Sequence, residues 1–146
     1  MKALTVKYKK LSPDAIVPSY GTEFSAGADV YALCDEPVTV APGETVLMHT
    51  GIAVAIPEGF VGLMHARSGL ATKKGLAPAN KVGVIDSDYR GEIMVSLHNH
   101  SSQPATVSKG DRIAQLVIAP YYTAIFEEGE LDSTQRGEGG FGSTGK

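Results

Sequence analysis

Hydrophobic and polar positions alternate along this chain with a period of two, in short runs, and no stretch sustains the 3.6-residue period of a long helix. Val38-Thr39-Val40 and Thr45-Val46-Leu47-Met48-His49-Thr50 flank a turn at Ala41-Pro42-Gly43-Glu44. Ile52-Ala53-Val54-Ala55-Ile56 runs into Pro57-Glu58-Gly59, and Phe60-Val61-Gly62-Leu63-Met64-His65 follows. Further along come Ile93-Met94-Val95-Ser96-Leu97-His98-Asn99-His100, Ala105-Thr106-Val107 and Ile113-Ala114-Gln115-Leu116-Val117-Ile118. Each run is rich in β-branched residues and bounded by Gly, Pro, Asn, Asp or Ser, which predicts strands. Many short strands at roughly 8–12-residue spacing predict an all-β sandwich or barrel. One short helix is expected over residues 68–73, ended by Gly75. The alternation stops near Glu127, where Gly, Ser, Thr and charge take over. A β domain over residues 1–126 and a flexible arm over 127–146 are therefore expected. Phe141, alone among glycines, has no packing use in a free tail and is expected to close onto something.

Composition narrows this picture. Seventeen glycines and eight prolines among 146 residues fit a turn-rich β protein. A net charge of −3 argues against a chain whose main task is coating nucleic acid or an anionic membrane. The single cysteine, Cys34, excludes an internal disulfide framework and reads as a packing residue. No apolar run approaches the ~20 residues that span a bilayer. The first residues, Met1-Lys2-Ala3-Leu4-Thr5-Val6-Lys7, turn charged before a signal-type apolar region forms, so the cytoplasm is the expected address.

Five stretches are candidates for chemistry, and each has a plain local reading beside a functional one. The tail segment from Gly140 to Lys146 approaches the G-x-x-x-x-G-K spacing of a P-loop, but no Ser or Thr follows the lysine, so it is not read as one. Its glycine amides, Ser143, Thr144 and the Arg136 fork still suit an anion, against a plain disordered tail. Ala66-Arg67-Ser68-Gly69 sits at a helix start, where Ser68 is either simply an N-cap or, with Arg67, part of a phosphate site. In Gly83-Val84-Ile85-Asp86-Ser87-Asp88-Tyr89-Arg90-Gly91, apolar residues lead to an Asp-rich turn. That is either a β-hairpin or a carboxylate held rigidly enough to orient a water. Asp29 in Ala26-Gly27-Ala28-Asp29 reads locally as an Asx turn. Gln115 in Gly110-Asp111-Arg112-Ile113-Ala114-Gln115 faces either outward or into a site.

Other polar features are set aside. His98 and His100 share a strand face, but only His49 and His65 remain to complete a metal site, so an exposed or interfacial pair is expected. Lys7-Tyr8-Lys9-Lys10 reads as a solvated strand end.

Taken in order, these five blocks resemble the trimeric dUTPase family. The resemblance spans residues 26–145 and is specific because all five occur in sequence. It implies a distorted jelly-roll-like barrel (a β-clip fold), a homotrimer with active sites shared among three chains, and hydrolysis of dUTP to dUMP and pyrophosphate with Mg²⁺. By the same resemblance Asp86 activates the attacking water, and Mg²⁺ is held mainly by substrate phosphates and water rather than by protein ligands. A hairpin over residues 80–86, with Asn80, Gly83, Val84 and Ile85, reads uracil; Tyr89 packs under the deoxyribose, and Met94 also contacts substrate. Arg67, Ser68, Gly69 and Gln115 line the phosphates, with Asp29 and Asp88 in support. Arg136, Gly142, Ser143 and Thr144 hold the distal phosphates while Phe141 covers the base.

The residue types suit that chemistry. Water attacks a negatively charged phosphate poorly, so a site must cancel charge and aim the water. Arginines, backbone N–H groups and Mg²⁺ cancel it. A fixed set of backbone donors and acceptors rejects cytosine, a tight wall rejects the thymine methyl, and a ring against the sugar excludes a ribose hydroxyl. A dCTP deaminase of the same superfamily is the nearest rival, and a non-catalytic trimeric module that keeps the barrel is another. The Asp-Ser-Asp-Tyr block and the Phe-containing tail favour the hydrolase.

Overall fold

The computed structural model describes residues 4–141. Eleven strands and one helix follow in order: β1 (Lys7–Lys10), β2 (Ser19–Tyr20), β3 (Ala28–Tyr31), β4 (Val38–Val40), β5 (Thr45–Ala55), β6 (Phe60–His65), α1 (Ser68–Lys74), β7 (Leu76–Pro78), β8 (Gly83–Ile85), β9 (Glu92–Asn99), β10 (Ala105–Val107) and β11 (Arg112–Pro120). They form three open sheets with strand orders β1-β5-β9-β7, β10-β4 and β2-β3-β11-β6-β8. Every pairing is antiparallel. The all-β, jelly-roll-like architecture with a single short helix is as expected. No described helix is long and apolar enough to cross a membrane.

The alternation does its work in the core. In β9, Ile93, Val95, Leu97 and Asn99 point inward while Glu92, Met94, Ser96 and His98 take the other face. The inward set joins Met64 and Ile113 of the five-stranded sheet and Val40 and Val107 of the small sheet in one cluster. Asn99, fully buried, is tied down at both ends of its amide. Its Nδ2 donates to the carbonyls of Val40 (2.9 Å) and Gln103 (2.7 Å), and its Oδ1 accepts from the Ser101 amide (2.9 Å) and hydroxyl (2.8 Å). Among the described residues no buried side-chain polar atom lacks a partner, as a well-formed core requires.

Two segments differ from expectation. The runs at 45–50 and 52–56 are largely one strand, β5, not two. At Gly51 the chain takes a left-handed turn (φ 67°) and the register with β9 shifts between His49↔Met94 and Ala53↔Glu92. That is a bulge within a continuous strand. Only glycine fits, because a Cβ there would lie 2.6 Å from Leu33 Cδ2 and 2.8 Å from Ala15 Cβ. The Asp-rich segment 86–91 is not a hairpin turn. It connects β8, which pairs with β6, to β9, which pairs with β5 and β7, and so crosses from one sheet to another. The same holds for the turn between β7 and β8, whose flanking strands belong to different sheets.

Candidate active site

The sequence candidates gather at two places. The first is built on β3, β11 and the start of α1. Asp29 and Gln115 are register partners, and Gln115 is also opposite His65 of β6. Asp29 is not in an Asx turn: it sits inside β3, only 7% exposed. A buried carboxylate is tolerable only when paired and hydrogen-bonded. Arg112 Nη1 donates to its Oδ2 (3.2 Å), Gln115 Nε2 to its Oδ1 (3.3 Å), and Arg67 Nε lies 3.4 Å from Oδ1. Gly27 leaves room for this arrangement, since a Cβ there would stand 3.2 Å from that of Gln115.

Arg67, not Ser68, occupies the cap position of α1, in extended conformation (φ −90°, ψ 121°), and no side chain caps the helix. Ser68 is the first helical residue and is exposed beside the arginine. The other end is closed by Gly75 in left-handed conformation (φ 67°), whose amide donates to the Leu70 carbonyl, with Lys73 and Lys74 in the last turn. The resulting groove, about 400 Å³, is lined by Arg67, Gly69, Lys73, Lys74 and Arg112 with Asp111. Four cationic groups stand against the carboxylates of Asp29 and Asp111, so the groove favours a polyanion.

The second place is a groove of about 300 Å³ that brings together Asn80, Gly83, Val84, Ile85, Asp86, Tyr89 and Met94. Here β8 is the end strand of its sheet. One edge pairs with β6 and the other is open, which leaves backbone donors and acceptors free for a ligand edge. The turn leading into it is tight: Lys81 has φ 67°, its amide donates to the Pro78 carbonyl (3.0 Å), and the Val82 amide donates to that of Asn80 (2.7 Å). Gly83 carries no side chain where the Asn80 amide nitrogen would be 3.2 Å from a Cβ.

Asp86 follows β8 directly, exposed at the groove. The turn after it is braced by the Tyr89 amide donating to the Asp86 carbonyl (3.2 Å), and by Arg90 Nη1 donating to the carbonyls of Ser87 (2.6 Å) and Tyr89 (2.9 Å). The Tyr89 ring lies across Gly91, where any Cβ would fall 2.6 Å from the ring's Cζ. Asp88 does not line this groove but an adjoining one, with Asp86, Ser87 and Arg90.

The two places share no lining residue. The last strand ends at Pro120, and residues 121–141 form no helix or strand. Arg136 Nε donates to the Gly139 carbonyl (2.8 Å) within this segment, Phe141 is fully exposed, and neither lines either groove. Gly142, Ser143 and Thr144 lie outside the described residues. Among the described residues no group of three or more His, Cys, Asp or Glu side chains could hold a metal, and His98 instead meets the Thr45 hydroxyl (3.0 Å).

Sequence reasoning missed Glu92, Leu47 and Ser96, which line the Asp86 groove. The alternation of β9 placed Glu92 and Ser96 on the face of Met94, and that was the available signal. Burial works against the charged form of Glu92, but hydrogen bonds from His49, Gly51 and Thr50 outweigh it and hold the carboxyl below the ordinary glutamate value. A folded value below the unfolded one contributes stability that is present at neutral pH and lost as pH falls through the folded value. The gap in thermal midpoint between the wild type and Glu92→Gln is therefore expected to narrow as pH is lowered below the ordinary glutamate range. A gap that stays constant from neutral to acid contradicts the assignment.

Comparison with known proteins closes the question of kinship. The dUTPase family model matches residues 13–145. The deoxyuridine 5'-triphosphate nucleotidohydrolase of Syntrophotalea carbinolica is 49% identical over 146 residues, covering 99% of each chain. That of Rickettsia felis is 48% identical over 147 residues, again covering 99% of each. The dUTPase of Staphylococcus bacteriophage 80alpha, solved as a variant with dUpNHpp, superposes with a TM-score of 0.85 at 31% identity, covering 99% of this chain and 100% of that one. A variant dUTPase from phage phi11 of S. aureus, whose structure concerns the coordination of a structural Mg(II) ion, superposes with a TM-score of 0.79 at 27% identity, covering 90% of this chain and 100% of that one. With the family model spanning nearly its whole length, and relatives almost half identical from end to end, this chain belongs to the dUTPase family.

Proposed function

We propose that the chain is a dUTP diphosphatase, hydrolysing dUTP to dUMP and pyrophosphate, which lowers dUTP and supplies dUMP for dTMP synthesis. The observation that carries this reading is the Asp86 groove. An open strand edge, a carboxylate and a tyrosine converge there in a chain whose end-to-end relatives are dUTP nucleotidohydrolases. The backbone of residues 80–86 pairs with the uracil edge, and Val84, Ile85 and Met94 wall the base. Tyr89 lies under the deoxyribose. The Asp86 carboxylate takes a proton from water as the water oxygen bonds to the α-phosphorus, and the bond from that phosphorus to the bridging oxygen breaks, releasing pyrophosphate.

Arg67 and Gly69 of the cationic groove, with Ser68 and Gln115, bind the phosphates, and Asp29 braces Arg67 and Gln115. Because that groove and the Asp86 groove share no lining residue in one chain, we read the working site as shared between copies in a homotrimer. Tyr122, Ile125, Phe126 and Leu131, each more than nine-tenths exposed, support this, since apolar side chains of that size are normally covered. We take residues 1–126 as the barrel and 127–146 as an arm. The arm's Arg136, Phe141, Gly142, Ser143 and Thr144 close over the nucleotide, and Asp88 has a supporting role. The cytoplasm is the proposed address.

The residues present fit a magnesium ion carried on the triphosphate. This hard cation is ordinarily held by phosphate oxygens and water with few protein ligands, and the cationic groove suits the phosphates that would carry it. Bound there, Mg²⁺ neutralises phosphate charge. Pyrophosphate release from a panel of eight nucleoside triphosphates, with and without Mg²⁺, tests the reading. Rapid release from dUTP alone, lost on chelation, is expected; deamination of dCTP or turnover of none of the panel contradicts it.

A further inference from the structure

Glu92 is the most firmly held side chain in the Asp86 groove, and the reaction above gives it no task. Its Oε1 accepts hydrogen bonds from the amides of Gly51 (2.7 Å) and Thr50 (3.1 Å), and its Oε2 meets His49 Nδ1 (2.8 Å). All three partners stand on the β5 bulge. The register shift there leaves Thr50 and Gly51 without register partners on β9, and the Glu92 carboxylate fills that gap in the ladder. The same residue is engaged at its other end: the Tyr89 hydroxyl donates to the Glu92 carbonyl (2.9 Å). One residue thus joins a core strand to the ring, its side chain as anchor and its carbonyl as aim.

Tyr89 needs such a tether. The residue is 43% exposed and its ring rests on Gly91, which offers no side chain to limit its swing. Excluding a single hydroxyl oxygen by steric contact requires the ring to be held to within about 0.5 Å.

We propose that Glu92 is a positioning residue for sugar selectivity: its carboxylate, locked into the β5 bulge, fixes the carbonyl that holds the Tyr89 hydroxyl, and so keeps the ring where it bars a 2′-hydroxyl. The inference rests on the reading of Tyr89 as the deoxyribose platform.

The test compares kcat/KM for dUTP and for UTP in the full-length protein and in Glu92→Ala, Glu92→Gln, Tyr89→Phe and Tyr89→Ala. Glu92→Ala is expected to lower the dUTP-to-UTP ratio by at least about tenfold, and Glu92→Gln, whose Oε1 still accepts from both amides, to keep it within about threefold. Tyr89→Phe cuts the same link from its other end, so combining it with Glu92→Ala adds little further loss. A structural role alone would cost stability without moving the ratio. A wild-type ratio in Glu92→Ala, with the ratio lost in Tyr89→Ala, overturns the proposal and leaves the platform standing. An unchanged ratio in Tyr89→Ala overturns the platform, and the proposal with it. Should Glu92→Ala fail to fold, Tyr89→Phe decides, because the bulge stays intact: a reduced ratio supports the tether and an unchanged one overturns it.

Discussion

Asp86→Asn is expected to lower kcat by at least about 10²-fold while nucleotide binding stays close to that of the wild type. The side chains differ little in size, so the turn from Asp86 to Tyr89 keeps its shape. What is lost is the ability to take a proton from water at the moment of attack. The fold should hardly notice: Asp86 is exposed, and it is its backbone carbonyl that accepts from the Tyr89 amide. An exposed substitution of this kind ordinarily shifts stability by no more than about 0.5 kcal/mol. A thermal melt alongside the kinetics separates the two effects. Near-normal turnover in a folded Asp86→Asn variant removes Asp86 from the chemistry.

Deleting residues 132–146 is expected to leave a folded assembly whose kcat/KM for dUTP falls by about 10²-fold or more. Every residue of the buried core lies at or before Leu116, and Ile118 is the last apolar side chain packed against it, so the cut removes no core. It does remove the Arg136 guanidinium, whose fork of donors suits phosphate oxygens, and the Phe141 ring. In the single chain these groups touch neither groove, so their contribution arises only when the arm reaches a nucleotide, in the manner of other closing segments. Loss of the fold on truncation makes the arm structural; full activity makes it dispensable.

How much of this was visible in the chain itself depends on how far apart the interacting residues are. Strands whose pattern is local, such as β4, β6 and β10, stand where the alternation placed them. β2, of two residues, is too short to carry a period. β3 was hidden because an acid inside a strand looks like a turn. Asp29 is tolerable there through Arg67 and through Arg112 and Gln115, the last two 83 and 86 residues away. Locally, 80–91 reads as hairpin turns because Asp, Gly and Asn favour them; that the flanking strands belong to different sheets follows from pairing with β6 and β9, which no nearby residue encodes.

The site was legible in a similar way. Half of the residues lining the Asp86 groove, Asn80, Gly83, Val84, Ile85, Asp86, Tyr89 and Met94, lie within one short stretch and were marked from the sequence; others, such as Leu47 and Met64, come from strands far away in the chain. Glu92 escaped because its meaning lies in amides 41 and 42 residues back, exposed by a bulge that only the register reveals. Ser68 looked like a cap from its neighbours alone, yet the strand feeding the helix sets Arg67 in that position and leaves the serine hydroxyl exposed beside it.

In the proposed reaction, water directed by Asp86 attacks the α-phosphorus of dUTP. Hydrolysis in ¹⁸O-enriched water, with the products separated and weighed by mass spectrometry, tests it most directly. One labelled oxygen is expected in the phosphate of dUMP and none in pyrophosphate. Label in the pyrophosphate places the attack on a different phosphorus and contradicts it.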